Sequence, residues 1–337
     1  MRGKRELISS IGAATGATWL MERLPHRPVL MILNYHRIGD ASATEYDSGT
    51  FSCTAEEFDW QIGYLKSRYR MTTLDEVQEL VAGGRLSEPR VLITFDDGYI
   101  DNYQLAYPVL RRHGVQGVFF VPTAFTGTGR IPWWDAVAYI VKRSRQTRFR
   151  LEYPQPQEFD IATEGAARCI LHVLRLYKQP DMRDHERFMQ QLEKACDSPR
   201  PSGDAARCFL NWDEAREMLQ GGMAFGSHTH THEILSKLPA GGQLEELQVS
   251  RGILEQELGR EIDTLAYPVG ARDTFSAETV EALRQAKYRA AFSFYTGFNL
   301  AGSMAAFDIR RCGVDQQARN RLRLQTAMGS VAGNLWF

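Results

Sequence analysis

Cysteine is scarce in this chain: five of 337 residues, none in a CxxC pair. Cys53, Cys169, Cys196, Cys208 and Cys312 are odd in number and widely scattered, which argues against a disulfide framework and reads as idle or buried thiols of a reducing compartment. Charge of one sign is missing too. The 40 Lys+Arg against 41 Asp+Glu leave a net charge of −1 with no long one-sign run, so the electrostatic footprint of a nucleic-acid binder is absent. Nothing approaches the roughly 18 uninterrupted apolar residues of a spanning helix. The stretch from Leu7 to Leu20, behind the basic Met1 to Arg5, imitates a secretory leader but is diluted by Ser, Thr and Gly. It is expected to form an amphipathic lead-in helix within residues 1–28, able to touch a membrane surface. These features set the expected location as the cytoplasm or the inner membrane face.

What the chain does have is a rhythm. Short runs rich in Val, Ile and Phe recur at 29–36, 91–98, 117–123, 223–230, 263–270, 289–294 and 305–311. Stretches of helical periodicity separate most of them, the pattern of an α/β protein with a mainly parallel sheet. The strand-then-helix repeat predicts a (β/α) barrel of about seven strands over 29–315, with 316–337 as a tail. Expected helices include one after the cap Thr54, one ending at Gly114, one ending at Gly259, and one behind Ser276 with Glu278 closing a capping box. Residues from about 130 to 212 break the rhythm. They predict a mostly helical insertion with a proline-containing hinge at YPQPQEFD, placed as a lid or shoulder over one end of the barrel.

Parallel α/β folds collect reactive residues at the carboxyl ends of their strands, and the polar clusters here fall at such ends. Thr94-Phe95-Asp96-Asp97-Gly98-Tyr99 puts two acids at the end of a buried strand. Adjacent buried carboxylates repel unless a cation or a proton-transfer role separates them; a capping turn is the bland alternative. Ser227-His228-Thr229-His230-Thr231-His232 places three of the chain's eight histidines within five residues. His228 and His232, four apart, would face one ion if a helical turn began there, while His230 would point away. Tyr267-Pro268-Val269-Gly270 reads as a turn after a strand.

TFDDGY, then H-T-x-T-H, then AYPVG resemble, in that order, the polysaccharide deacetylase family, the NodB-homology domain of carbohydrate esterase family 4. The likeness covers about residues 29–312, and the family's domain is a distorted barrel of about seven strands. It implies Asp96 as the catalytic base, and Asp97, His228 and His232 as ligands of zinc or a similar divalent ion. It also implies the backbone N–H of Val269 as the donor to the oxyanion.

The match departs from the familiar pattern where Glu233 follows His232, where no arginine precedes Tyr267, and where no histidine occurs beyond His232. The family's usual general acid is a late histidine, so its place must be filled. Leu33-Asn34-Tyr35-His36-Arg37 resembles the N-terminal YH motif of a subgroup related to poly-N-acetylglucosamine deacetylases, which assigns the acid to His36. Arg272 is the candidate to orient Asp96, with a surface ion pair as its alternative. Tyr267, Trp134 and Arg272 are the candidate substrate contacts, and Trp133, Trp134 and Asp135 would give sugar rings an aromatic wall unless they simply pack. The resemblance therefore implies hydrolysis of N-acetyl groups on the amino sugars of a polysaccharide or lipid-linked glycan precursor. The alternatives are an O-acetyl esterase on the same scaffold and a non-catalytic glycan-binding protein.

Overall fold

The computed structural model describes residues 10, 12, 14–201, 207–300, 302, 304–314 and 319–332. The chain divides into two compact units: residues 1–39, 51–127 and 209–337 form the first, and 40–50 with 128–208 the second.

Six parallel strands of three or more residues build the main sheet of the first unit: β1 (Val29–Tyr35), β2 (Arg90–Asp96), β3 (Gly117–Val121), β4 (Ala224–Ser227), β5 (Thr264–Ala266) and β6 (Ala290–Phe292). They lie side by side in chain order, as the winding of a barrel requires. β1 is buried at every position, which is why it reads as a continuous apolar run instead of an alternating one. The core inside includes Phe95 stacked on Phe119 at 4.7 Å and on Tyr35 at 5.4 Å.

The seventh predicted strand, 305–311, is broken. Ile309 alone bridges in parallel to Phe292 of β6, a turn occupies Ala306 and Phe307, and Cys312–Gly313 pairs in parallel with Leu33 and Asn34 of β1. This interrupted segment joins the last strand to the first and closes the distorted barrel. The interruption falls at Arg310 and Arg311, between the Ile309 bridge and the Cys312–Gly313 pairing. Asn299–Leu300 adds a short antiparallel edge to β1.

The helices follow their sequence signals closely. Ala55–Arg68 starts on Thr54, whose side chain accepts from Glu57 N–H, and Ala240–Leu258 ends on Gly259 at φ 64°. Before Gly114, the helix opens with a π-helical turn at Asn102–Ala106. Behind Ser276 the capping box is closed by Thr279, not Glu278, because the reciprocal partner sits three residues after the cap. The predicted lead-in helix lies partly outside the described residues, which exclude 1–9, 11 and 13. Its described portion includes the short helix Ala17–Met21, where Trp19 and Leu20 are 50% and 58% exposed. Among the described residues no helix is long and apolar enough to cross a membrane. In the predicted tail, 316–318 and 333–337 lie outside the described residues, and Arg319–Ala332 is a helix that buries Leu322 and pairs Arg323 with Glu22 at 2.8 Å.

The second unit is helical, with Trp133–Lys142, Ala166–Tyr177 and His185–Cys196. The expected hinge is instead part of an antiparallel hairpin, Arg148–Leu151 with Gln157–Asp160, because RFRL and QEFD each put an aromatic on one face; Phe149 stacks on Phe159 at 4.8 Å. Residues 40–50, which carry no sequence signal that separates them from the barrel, belong to this unit. Asp47 N–H donates to the buried Asp135 at 3.0 Å, and Lys142 Nζ bonds the carbonyls of Thr44 and Tyr46.

Candidate metal centre and active site

Each reactive group stands at the carboxyl end of a barrel strand. His36 follows β1, Asp96 ends β2 with Asp97 next, His228 follows β4, and the turn at Val269 follows β5. Asp97 lies at φ 73° and Gly98 at φ 69°, so the chain leaves the sheet in a sharp left-handed bend. A Cβ on residue 98 would come within 2.7 Å of Val121, so only glycine fits there.

His228 and His232 meet, but not on a helical turn. Residues 228–232 form an irregular bend with Thr229 at φ 63° and His232 at φ 61°, and the two imidazoles stand 4.7 Å apart, nearly perpendicular. His228 Nδ1 lies 2.7 Å from the carbonyl of Ala266. A carbonyl only accepts, so Nδ1 carries the proton and the Nε2 lone pair faces inward. Burial, partly opposed by the charge of Asp96, pushes the His228 pKa down to about 4, which keeps the ring neutral. His230 turns away from the pair, with Nδ1 2.8 Å from Thr123 Oγ1.

Oδ1 of Asp97 sits 3.3 Å from His232 Nε2 and 3.6 Å from His228 Nε2. Among the described residues this buried oxygen has no hydrogen bond of normal geometry. One ligand atom from each of Asp97, His228 and His232 lies within 4.8 Å of the others. A buried, under-satisfied carboxylate oxygen facing two imidazole nitrogens is a donor set that suits a divalent cation.

Asp96 lies alongside, its Oδ2 4.0 Å from His228 Nε2, and its environment is of another kind. Arg311, fully buried, donates from Nη1 to Oδ1 at 2.7 Å and from Nη2 to Oδ2 at 2.9 Å, while Asn34 Nδ2 donates to Oδ2 at 2.9 Å. Arg311 is fixed in turn by Asn34 Oδ1 at 2.8 Å and the Ser293 carbonyl at 3.1 Å. Burial alone would raise the Asp96 pKa; the Arg311 guanidinium outweighs it and holds the carboxyl well below the usual carboxylate range. Asp97 is likewise held below its ordinary value, burial being outweighed chiefly by His232.

The structure also corrects and extends the predicted residue set. The orienting role expected of Arg272 belongs to Arg311, because only Arg311 reaches both oxygens of Asp96; Arg272 lies over the Tyr295 ring at 4.5 Å. Arg311 was legible only as the end of an apolar run, and Asn34 only as part of the segment that carries His36. Tyr267 turns into the core instead of toward a substrate, stacked on Phe275 at 4.2 Å with its hydroxyl on the Phe307 carbonyl at 3.0 Å. Trp134 is buried in the second unit, edge-on to Trp133, so it presents no open aromatic wall.

Val269 sits at φ 64° in a three-residue turn closed by Gly270 N–H on the Pro268 carbonyl at 2.7 Å. For a β-branched residue this is an outlier of the kind that gathers at functional sites. Its own N–H makes no hydrogen bond among the described residues. His36 is half-buried and stands edge-on to Phe294 at 5.6 Å.

The model of the polysaccharide deacetylase family matches residues 83–150 and 159–291. The chain therefore belongs to the polysaccharide deacetylase family. Over 107 residues it is 34% identical to YxkH of Bacillus subtilis, which carries the family name, and 28% identical to a poly-β-1,6-N-acetyl-D-glucosamine N-deacetylase of Staphylococcus aureus. These matches cover 31% and 29% of this chain but only 35% and 37% of the relatives, so the chain spans about a third of the length of the curated proteins it matches. Among solved structures, the Streptococcus pyogenes deacetylase PplD in complex with acetate aligns with TM-score 0.57 at 20% identity, over 89% of this chain and 98% of that one. IcaB from Ammonifex degensii aligns with TM-score 0.55 at 20% identity, over 91% and 99%. At such identities the likeness speaks for the fold.

Proposed function

We propose that this protein is a metal-dependent hydrolase that removes N-acetyl groups from the amino sugars of a polysaccharide or a lipid-linked glycan precursor. The observation that carries the reading is the convergence of Asp97, His228 and His232 beside a second carboxylate, Asp96, which Arg311 and Asn34 hold on both oxygens. The poly-N-acetylglucosamine N-deacetylase among its relatives supports the substrate class.

A divalent ion held by Asp97, His228 and His232, for which zinc suits the donors, would supply Lewis acidity for the acetyl carbonyl and acidify water at the site. The protein's own groups do the rest. Asp96, kept ionised and fixed in direction, takes the proton from the attacking water as the new C–O bond forms. Val269 N–H, which makes no hydrogen bond among the described residues, donates to the carbonyl oxygen as it becomes an oxyanion. His36 delivers a proton to the amide nitrogen as the C–N bond breaks, so that the products are acetate and a free amino sugar.

Acetate release from N-acetylglucosamine oligomers, assayed beside an O-acetylated xylan, tests the reading. Release from the N-acetylated substrate is expected, and His36→Ala should slow it by about 10²–10⁴-fold, the usual contribution of a general acid. Release from the O-acetylated glycan alone would make the protein an esterase, and release from neither, with metal bound, would leave a binding protein.

A further inference from the structure

The loop that carries two of the three grouped ligands has a backbone that would not hold itself. Thr229 and His232 both lie in the left-handed region, a strained conformation for non-glycine residues that persists only where the surrounding structure over-determines it. No helix or strand runs between Ser227 and Leu235, so the backbone groups of this loop must find partners outside regular structure.

One side of the loop leans on the end of β3. Thr123 N–H and Ala124 N–H donate to the carbonyls of Thr229 and His230 at 3.3 and 2.9 Å. The other side is held by the helix Ala240–Leu258. Glu246 Oε2 accepts from His230 N–H at 2.9 Å and Thr231 N–H at 2.8 Å, and its Oε1 accepts from Thr231 Oγ1 at 2.6 Å. Four residues on, and so on the same helix face, Ser250 Oγ lies 2.8 Å from Ser227 Oγ, which also accepts from Thr229 N–H at 3.1 Å. His232 N–H closes the bend on Thr229 Oγ1 at 3.1 Å. No step of the chemistry above uses Glu246.

We propose that Glu246 is a positioning residue for the metal: its carboxylate clamps residues 230–231 and thereby holds the bend that aims His228 and His232 at Asp97. The inference rests on the metal reading of the site. The hydrogen bonds of Glu246 run to His230 N–H, Thr231 N–H and Thr231 Oγ1 and not to the three ligand side chains, so it acts through the backbone between two of them. Outer groups that orient ligands commonly set metal affinity by about 10–100-fold.

Substitution separates this role from simple packing. Glu246→Ala removes all three hydrogen bonds. Glu246→Gln can keep them, its single oxygen accepting both N–H groups while its amide donates to the Thr231 hydroxyl, which rotates to accept. The experiment is a titration of metal-free protein with Co²⁺ against a chromophoric chelator, with the visible Co²⁺ spectrum reporting ligand geometry and His228→Ala as the control. The expected result is about 10–100-fold weaker Co²⁺ binding and an altered spectrum in E246A, with E246Q close to the unsubstituted protein.

Unchanged affinity and spectrum in E246A, while His228→Ala still abolishes binding, would overturn the role of Glu246 and leave the metal reading intact. If the unsubstituted protein takes up no Co²⁺, or His228→Ala binds it equally well, the metal reading itself falls and the clamp with it. Should E246A fail to fold, Thr231→Val, which removes one of the three bonds, decides: weaker binding supports the clamp and unchanged binding refutes it.

Discussion

Asp96→Asn should lower the rate of acetate release by about 10²–10⁴-fold, the range that a positioned general base contributes. The substitution keeps shape and size but removes the basic oxygen pair. It also disturbs the packing beneath. Asn34 Nδ2 and both Arg311 Nη groups are donors aimed at the two Asp96 oxygens, so an amide there must point its own NH₂ at one of them. The variant should therefore unfold at a lower urea concentration as well as turn over slowly. A variant that kept the rate within a fewfold of the original would remove Asp96 from the chemistry.

The largest effect on stability is expected from Arg311→Met. Arg311 has no exposed surface and Asp96 has 2%, so the change strands a carboxylate in the interior, where loss of one partner of a buried pair typically costs about 3–5 kcal/mol. The cost arises from the charge left behind more than from the net worth of the pair, and this makes a sharper claim. Asp96→Asn combined with Arg311→Met buries no unpaired charge, so urea denaturation of the double variant should show less destabilisation than the two single losses added together. Additive losses would mean that the two side chains do not act as a unit.

Much of this architecture could be read from the sequence because it rests on local signals. Continuous apolar runs marked the six complete strands, and Thr54, Gly114 and Gly259 marked helix ends whose chemistry is confined to a few residues. His228 and His232 were legible as a histidine cluster at a strand end, whereas Asp97 was told apart from Asp96 only by the resemblance to the family.

What stayed hidden depends on contacts distant in sequence or on backbone conformation. Arg311 is 215 residues from Asp96, and nothing near it announces a buried partner. The form of the His228–His232 bend stayed hidden because left-handed backbone is uncommon for non-glycine residues, above all for the β-branched Thr229. Glu246 looks like one more solvated charge on a polar helix until the loop it clamps is seen. Tyr267 and Trp134 were expected at the substrate because aromatics near a sugar site invite that reading, yet both are buried in cores.

The most direct test of the account is a metal titration coupled to the acetate assay. Protein stripped by a chelator should be inactive on N-acetylglucosamine oligomers and regain activity in proportion to added Zn²⁺, saturating at one equivalent per chain, while Asp97→Ala and His232→Ala bind no zinc at the same concentrations. Full activity in the stripped protein, or stoichiometric zinc in those variants, would contradict the assignment of Asp97, His228 and His232 as the metal centre.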